Sequence, residues 1–194
     1  MTMLNQDLHI HTTYSASDSS VVSEQTIALV AAVHHACVMG ISDHFENLVG
    51  GVFARYAAEI REAGMKRGVE VDGHAWASEA AAYPVDYYIF HCRDLDADYR
   101  AIELLLGTGL PVIVAHPNAL GTDLDRVPPE CLIEINNRYV WRSNWQAYYA
   151  PHAGRFNFVL GSDAHQPNWL GQAVARHAAT QLGVTEHLIF HEPA

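Results

Sequence analysis

The chain has 194 residues, 49% hydrophobic and 17% charged, which suits a compact fold with a full core and not a disordered chain. Its 22 acidic and 11 basic residues give a formal charge of −11, which argues against broad non-specific attraction to nucleic acid or anionic membrane. Cys37, Cys92 and Cys131 form no CxxC pair and read as buried thiols of a reducing compartment.

No stretch reaches the roughly 18 consecutive apolar residues of a membrane span. "MTMLNQDLHI" lacks a basic segment followed by an apolar core, so no signal peptide is expected and the cytoplasm is the default location.

In chain order, "LHI" (8–10) opens as a strand, and 23–36 has helical spacing with Ser23 as a possible N-cap. A strand follows at 38–43 and a helix at 52–68. Segments 69–80 and 85–92 read as strands joined by a turn around Pro84. Then come a helix at 96–109, strands at 110–116, 131–136 and 156–163, and a last amphipathic stretch at 170–183. No repeat or linker interrupts the chain, so one domain over 1–194 is expected. Alternating apolar strands and helices imply a mainly parallel sheet covered by helices, open or closed into a barrel.

Thirteen histidines are the compositional outlier, and many gather at strand ends. "LHIH" ends in His9 and His11, "VMGISDH" in Asp43 and His44, "VDYYIFH" in His91. "LPVIVAH" ends in His116, "CLIEIN" in Glu134 and Asn136, "FNFVLGSDAH" in Asp163 and His165. Strands of a parallel sheet share a direction, so these ends converge on one face. Imidazoles and carboxylates gathered there suit divalent cations, and residues i and i+2 of HxH or DxH point into one cavity.

The ordered set "DLHIHTTYSASD", "ISDHF", a glutamate, "IFH", "AHP", "IEIN" and "GSDAH" resembles the PHP (polymerase and histidinol phosphatase) family, over residues 7 to about 166. The resemblance implies a distorted (β/α)7 barrel of the α/β class, whose C-terminal face holds two or three divalent metals and hydrolyses phosphoesters. It implies one metal on His9, His11, Asp163 and a bridging glutamate. A second would lie on that glutamate, His91 and His116, and a third on Asp18, His44 and His165. Glu79 of "WASEA" is preferred as the bridge because Glu70 would require "MKRGV" to be a barrel strand and bury Lys66 or Arg67. Glu70, in "GVEV", resembles the family's "GxE" text more closely.

No GxSxG or other convincing nucleophile is present, so attack by a metal-bound hydroxide is expected. Asp43 and Arg138 are the candidate catalytic residues beyond the ligands. Asp43 and Asp7 are expected to orient ligand imidazoles, and Arg138 with Arg142 to clamp the phosphate. The aromatic run 138–149, with Trp141, Trp145, Tyr148 and Tyr149, reads as core sooner than as a stacking surface. His34, His35, His177, His187 and His191 read as structural or solvated, and His74 and His152 as mostly outside the site.

The expected ions are zinc, manganese or iron. The expected partner is a small phosphorylated molecule or short nucleotide, with no membrane and no duplex nucleic acid. Two other readings stand beside this one. One is a hydrolase of the amidohydrolase-like barrel class acting on C–N bonds, disfavoured by the lack of a lysine at a strand end. The other is a non-catalytic, metal-stabilised PHP module.

Overall fold

A computed structural model describes residues 3–191. Seven parallel strands lie side by side in sequence order: β1 (Leu4–Asp7), β2 (Ala36–Ile41), β3 (Lys66–Val71), β4 (Tyr87–Phe90), β5 (Val112–Val114), β6 (Leu132–Asn136) and β7 (Asn157–Gly161). Between and after them run α1 (Ile27–Val33), α2 (Gly51–Glu62), α3 (His74–Ala80), α4 (Asp96–Leu106), α5 (Pro117–Leu120), α6 (Trp145–Tyr149) and α7 (Ala173–Leu182). The sheet curls until its edges meet just beyond β1 and β7. There Asp163 N–H donates to His9 O (2.8 Å) and His11 N–H to Ala164 O (2.9 Å), giving a nearly closed (β/α)7 barrel.

Strand alternation sorts side chains into two cores. Leu8, Val38, Tyr87, Ile89, Ile113, Leu132 and Val159 fill the barrel, with Ile189 and Phe190 packed against them. Their outward neighbours, such as Val69, Val71, Tyr88, Phe90, Ile133 and Leu160, pack in the larger core with the helices. Glycine makes room for the largest inward side chain: a Cβ on Gly68 would lie 2.3 Å from the Tyr87 ring, whose hydroxyl donates to Leu8 O (2.6 Å).

Several boundaries differ from expectation. The first strand is 4–7, with "LHI" continuing it only through an isolated bridge at Ile10. Helix α1 is capped by Thr26, whose hydroxyl accepts from Leu29 N–H, and ends at His34 in the left-handed region (φ 46°). Segment 69–80 is the end of β3 followed by helix α3, so β3 and β4 pair in parallel across a helical connection and not as a hairpin. Cys92 and Cys131 are buried free thiols, whereas Cys37 is exposed. Among the described residues, no helix is long and apolar enough to cross a membrane.

Candidate metal centre

All seven strands aim their C-terminal ends at one cluster. His9 and His11 follow β1, His44 follows β2, His91 follows β4, His116 follows β5, and Asp163 with His165 follows β7. Glu70 and Glu134 stand within β3 and β6 at inward positions, two residues beyond Gly68 and Leu132 on the same face.

Glu70 is the hub. Its Oε1 lies 2.7 Å from His91 Nε2, 3.1 Å from His9 Nε2 and 3.6 Å from His116 Nε2. Its Oε2 lies 3.0 Å from His44 Nδ1 and 3.3 Å from His11 Nε2. Glu79, the expected bridge, is instead exposed on α3, and Glu70 stands where the bridging carboxylate is expected. The objection to Glu70 was the burial of Lys66 or Arg67, and the fold answers it. Both residues sit at the start of β3, half-buried, with Lys66 Nζ over the Phe190 ring (4.8 Å) and the Arg67 guanidinium near Phe53 (5.9 Å).

The remaining expected ligands gather around the hub. Asp163 Oδ1 is 3.8 Å from both His9 Nε2 and His11 Nε2, and 3.3 Å from His165 Nδ1. Asp18 Oδ2 approaches His165 Nε2 at 2.9 Å and His44 Nε2 at 3.6 Å. Three overlapping groups each bring their ligand atoms within 4.8 Å of one another: His9–His11–Asp163, His9–Glu70–His116 and His11–His44–His165.

The donor set fits cations better than it fits itself. His9 and His11 face each other Nε2 to Nε2 at 3.2 Å, and His91 and His116 do so at 3.1 Å. Lone pairs so placed repel unless a proton or a cation lies between them. Glu70 Oε1 and His44 Nδ1 are buried without an aligned hydrogen-bond partner, although each lies within 3.0 Å of a neighbouring ligand group. Buried polar atoms rarely stay unpaired, and convergence on a common point is what ligation requires.

Protons stand in for that charge. Burial depresses the His44 and His91 imidazoles, but Glu70 outweighs it and raises each to about 9, with Asp72 assisting at His91. Burial likewise opposes protonation of His9, yet Glu134, Asp163 and Glu70 hold it well above the usual range. His11 is lowered well below it by burial and by the neighbouring imidazoles of His165, His44 and His9, which overcome the pull of Glu70.

Around the ligands lies a supporting layer. Glu134 Oε1 meets His9 Nδ1 (2.7 Å) and its Oε2 accepts from His116 N–H (2.7 Å), while Asn136 Nδ2 donates to Glu134 and Asp163. Asp72 Oδ1 meets His91 Nδ1 at 2.9 Å. Asp43 is fully buried and works through Ser15, whose hydroxyl donates to Asp43 Oδ1 (2.6 Å) and lies 3.0 Å from His11 Nδ1. Asp43 therefore orients an imidazole at one remove and does not face the cavity. Asp7, expected to do the same, instead pairs with His35 (2.8 Å) and accepts from Ser162 N–H. His116 and Asp163 hold left-handed backbone at φ 26° and 55°, strain of the kind that a functional site retains.

The cluster opens into a cavity of about 230 Å³ lined in part by Arg138 and Tyr139. Arg138 Nη1 lies 3.2 Å from His165 Nδ1 and 3.6 Å from Asp163 Oδ1. Arg142 does not line this cavity; it is exposed over the Tyr139 ring (4.5 Å) and faces a neighbouring groove. Of the aromatic run, Tyr149 is core and Trp141 is 60% exposed. His74 is held by Asp98 (2.7 Å), and His152 lies near Asp125. Glu134, gathered with Asn136 at its strand end in the sequence, buttresses His9 and His116, whereas Asp72 is a supporting residue that the sequence pattern does not single out.

Gly161 makes the His9–Glu134 contact possible, because a Cβ there would fall 2.0 Å from Glu134 Oε1 and 3.0 Å from His9 Cβ. Gly161→Ala is expected to cost about 1–3 kcal/mol of stability, as overpacking does. It should also weaken metal retention by displacing Glu134, and thermal melts with and without added zinc would read both effects.

Comparison with known proteins finds no matching family model and no matching curated protein.

Proposed function

We propose that this protein is a metal-dependent phosphoesterase of the PHP kind, working in a reducing cytoplasm on a small phosphomonoester or a nucleotide-sized phosphoester. The observation that carries the reading is the convergence of five imidazoles on Glu70, at a cavity where Arg138 is the one permanent cation among the described lining residues. Two or three divalent ions of zinc, manganese or iron would be held by His9, His11, Asp18, His44, Glu70, His91, His116, Asp163 and His165. Bound there, they would neutralise phosphoryl oxygens and make a water acidic enough to attack at neutral pH.

The chain's own groups supply the rest. Arg138 projects over the cavity beside Asp163 and His165, where its guanidinium can hold a phosphoryl oxygen through two N–H donors. Ser15, which touches the His11 imidazole, is committed to Asp43, His11 and His44 N–H, and Ser20 donates to Asp18 and accepts from Arg138, so neither hydroxyl is free to act as nucleophile. Burial pushes the Cys92 thiol up to about 11 and the Cys131 thiol to about 12, which keeps both unreactive. Direct hydrolysis follows: water oxygen bonds to phosphorus, the bond to the ester oxygen breaks, and that oxygen leaves with a proton as the free alcohol.

A barrel hydrolase that bridges its metals with a modified lysine is a poor fit. The chain's one lysine, Lys66, starts β3 at the opposite end of the barrel.

The test is elemental analysis of the purified protein together with hydrolysis of an aryl phosphate and its bis-aryl diester, with and without chelator. Bound metal and chelator-sensitive hydrolysis are expected, and the ratio of the two rates ranks monoester against diester. Absence of bound metal after zinc or manganese is added would overturn the reading.

A further inference from the structure

Beside the metal cluster lies a second, larger groove of about 1060 Å³, and Arg138 lines both. Among the described residues that line it are Arg138, Arg142 and Arg176 but no carboxylate, in a chain with twice as many acids as bases. Such segregation of sign is what an anion site requires. Arg176 is partly spoken for by Glu186 (3.0 Å), whereas Arg142 has no carboxylate within ion-pair distance among the described residues.

The arginines are interleaved with rings. The Arg138 guanidinium lies 5.0 Å from the Trp169 ring and 5.1 Å from Tyr139, and Arg142 lies 4.5 Å from Tyr139 and 5.5 Å from Trp141. The series Trp169, Arg138, Tyr139, Arg142, Trp141 starts at the cluster, where Tyr139 lies tilted against His116 (ring centroids 4.8 Å) and Trp169 against His165 (6.1 Å). It ends at an indole 60% exposed to solvent. Its backbone is fixed: Asn136 Oδ1 accepts from Arg138 and Tyr139 N–H, and Asn118 Nδ2 donates to Tyr139 O. Two half-buried rings, Trp169 and Tyr139, and the exposed Trp141 alternate with the two arginines and form a surface for a planar, negatively charged group.

We propose that this groove is the leaving-group subsite of the phosphoesterase, selecting a leaving group that carries a planar ring and a second negative charge. The inference rests on the phosphoesterase reading above. Arg138 serves the phosphoryl group at the cluster, Arg142 the second charge, and Trp141 the ring. Arg142 and Trp141 are thus specificity-determining residues and not part of the bond-breaking machinery.

The experiment compares naphthyl phosphate with its ring-sulfonated counterpart on the manganese- or zinc-loaded protein, and measures binding of sulfonated naphthol by calorimetry. The sulfonated ester is expected to have a KM roughly fivefold lower, the size of a partly exposed ion pair. Arg142→Gln should bring the KM ratio of the two esters close to one, Arg142→Lys should keep most of the preference, and Trp141→Ala should weaken naphthol binding. Chelator-sensitive hydrolysis with no sulfonate preference, and naphthol binding indifferent to Arg142, would overturn the subsite while leaving the phosphoesterase standing. Failure to hydrolyse any ester would overturn both, even if sulfonated naphthol binds.

Discussion

Glu70→Gln is expected to strip metal from the protein and to slow aryl phosphate hydrolysis roughly a thousandfold, about 4 kcal/mol of barrier. Glu79→Gln should change neither. Each Glu70 oxygen lies within 3.3 Å of two imidazoles, and Oε1 lies 3.6 Å from a fifth, so the carboxylate serves several ligand groups at once. An amide of the same shape keeps one weak acceptor and turns the other atom into a donor facing imidazole nitrogens. Glu79 lies on the exposed face of α3 and offers nothing to the cluster. Metal content and turnover of the two variants, measured side by side, decide the matter; full metal content in Glu70→Gln would remove Glu70 from the site.

The second large effect is on stability. Loading each metal to a hundredfold above its dissociation constant should add about 2.7 kcal/mol per site. For a chain of this length that raises Tm by roughly 5–10 °C per site. The direction of the pH dependence follows from the raised imidazoles. His44 and His91 titrate near 9 in the metal-free fold against an ordinary 6.5, so the stability they contribute is complete below pH 6.5. It is lost as pH rises through 9. Metal-free protein should therefore melt at lower temperature as pH is raised over this range, while loaded protein gains, because cations replace the protons. Calorimetric scans from pH 6 to 9.5 with and without zinc would test this, and parallel curves for the two forms would contradict it. Loading at pH 7.5 should also release protons, visible as a dependence of the binding heat on the buffer.

Much of the site was legible because the ligands are periodic. His9/His11 and Asp163/His165 have the i, i+2 spacing and flank the Ile10–Ala164 bridge where the barrel closes, and His44, His91 and His116 each follow a strand. Parallel strands were legible from unbroken apolar segments such as "VIVA" and "YYIF", which only a sheet covered on both faces buries.

Glu70 was harder for a definite reason. "KRGVEV" puts its two cations at the start of the strand, and a linear reading cannot tell barrel rim from barrel interior. In space the rim lets Lys66 lie over Phe190, a residue 124 positions away that closes the barrel floor. The "HAWASEA" segment, rich in alanine, suits a helix, but its few apolar positions fit either period, and parallel pairing of β3 with β4 settled it.

The sequence by itself determined a mainly parallel sheet, most of its strands and most of the groups that gather at the candidate metal centre, because those depend on local periodicity and on residue type at strand ends; it did not determine α3, which lies where a strand was expected. Tertiary structure decided which glutamate joins them, that Asp43 acts through Ser15, that Asp7 holds His35, and that Arg142 belongs to a neighbouring groove. Those choices turn on which side chains meet across the barrel, and such contacts are fixed by register and closure between strands far apart in the chain.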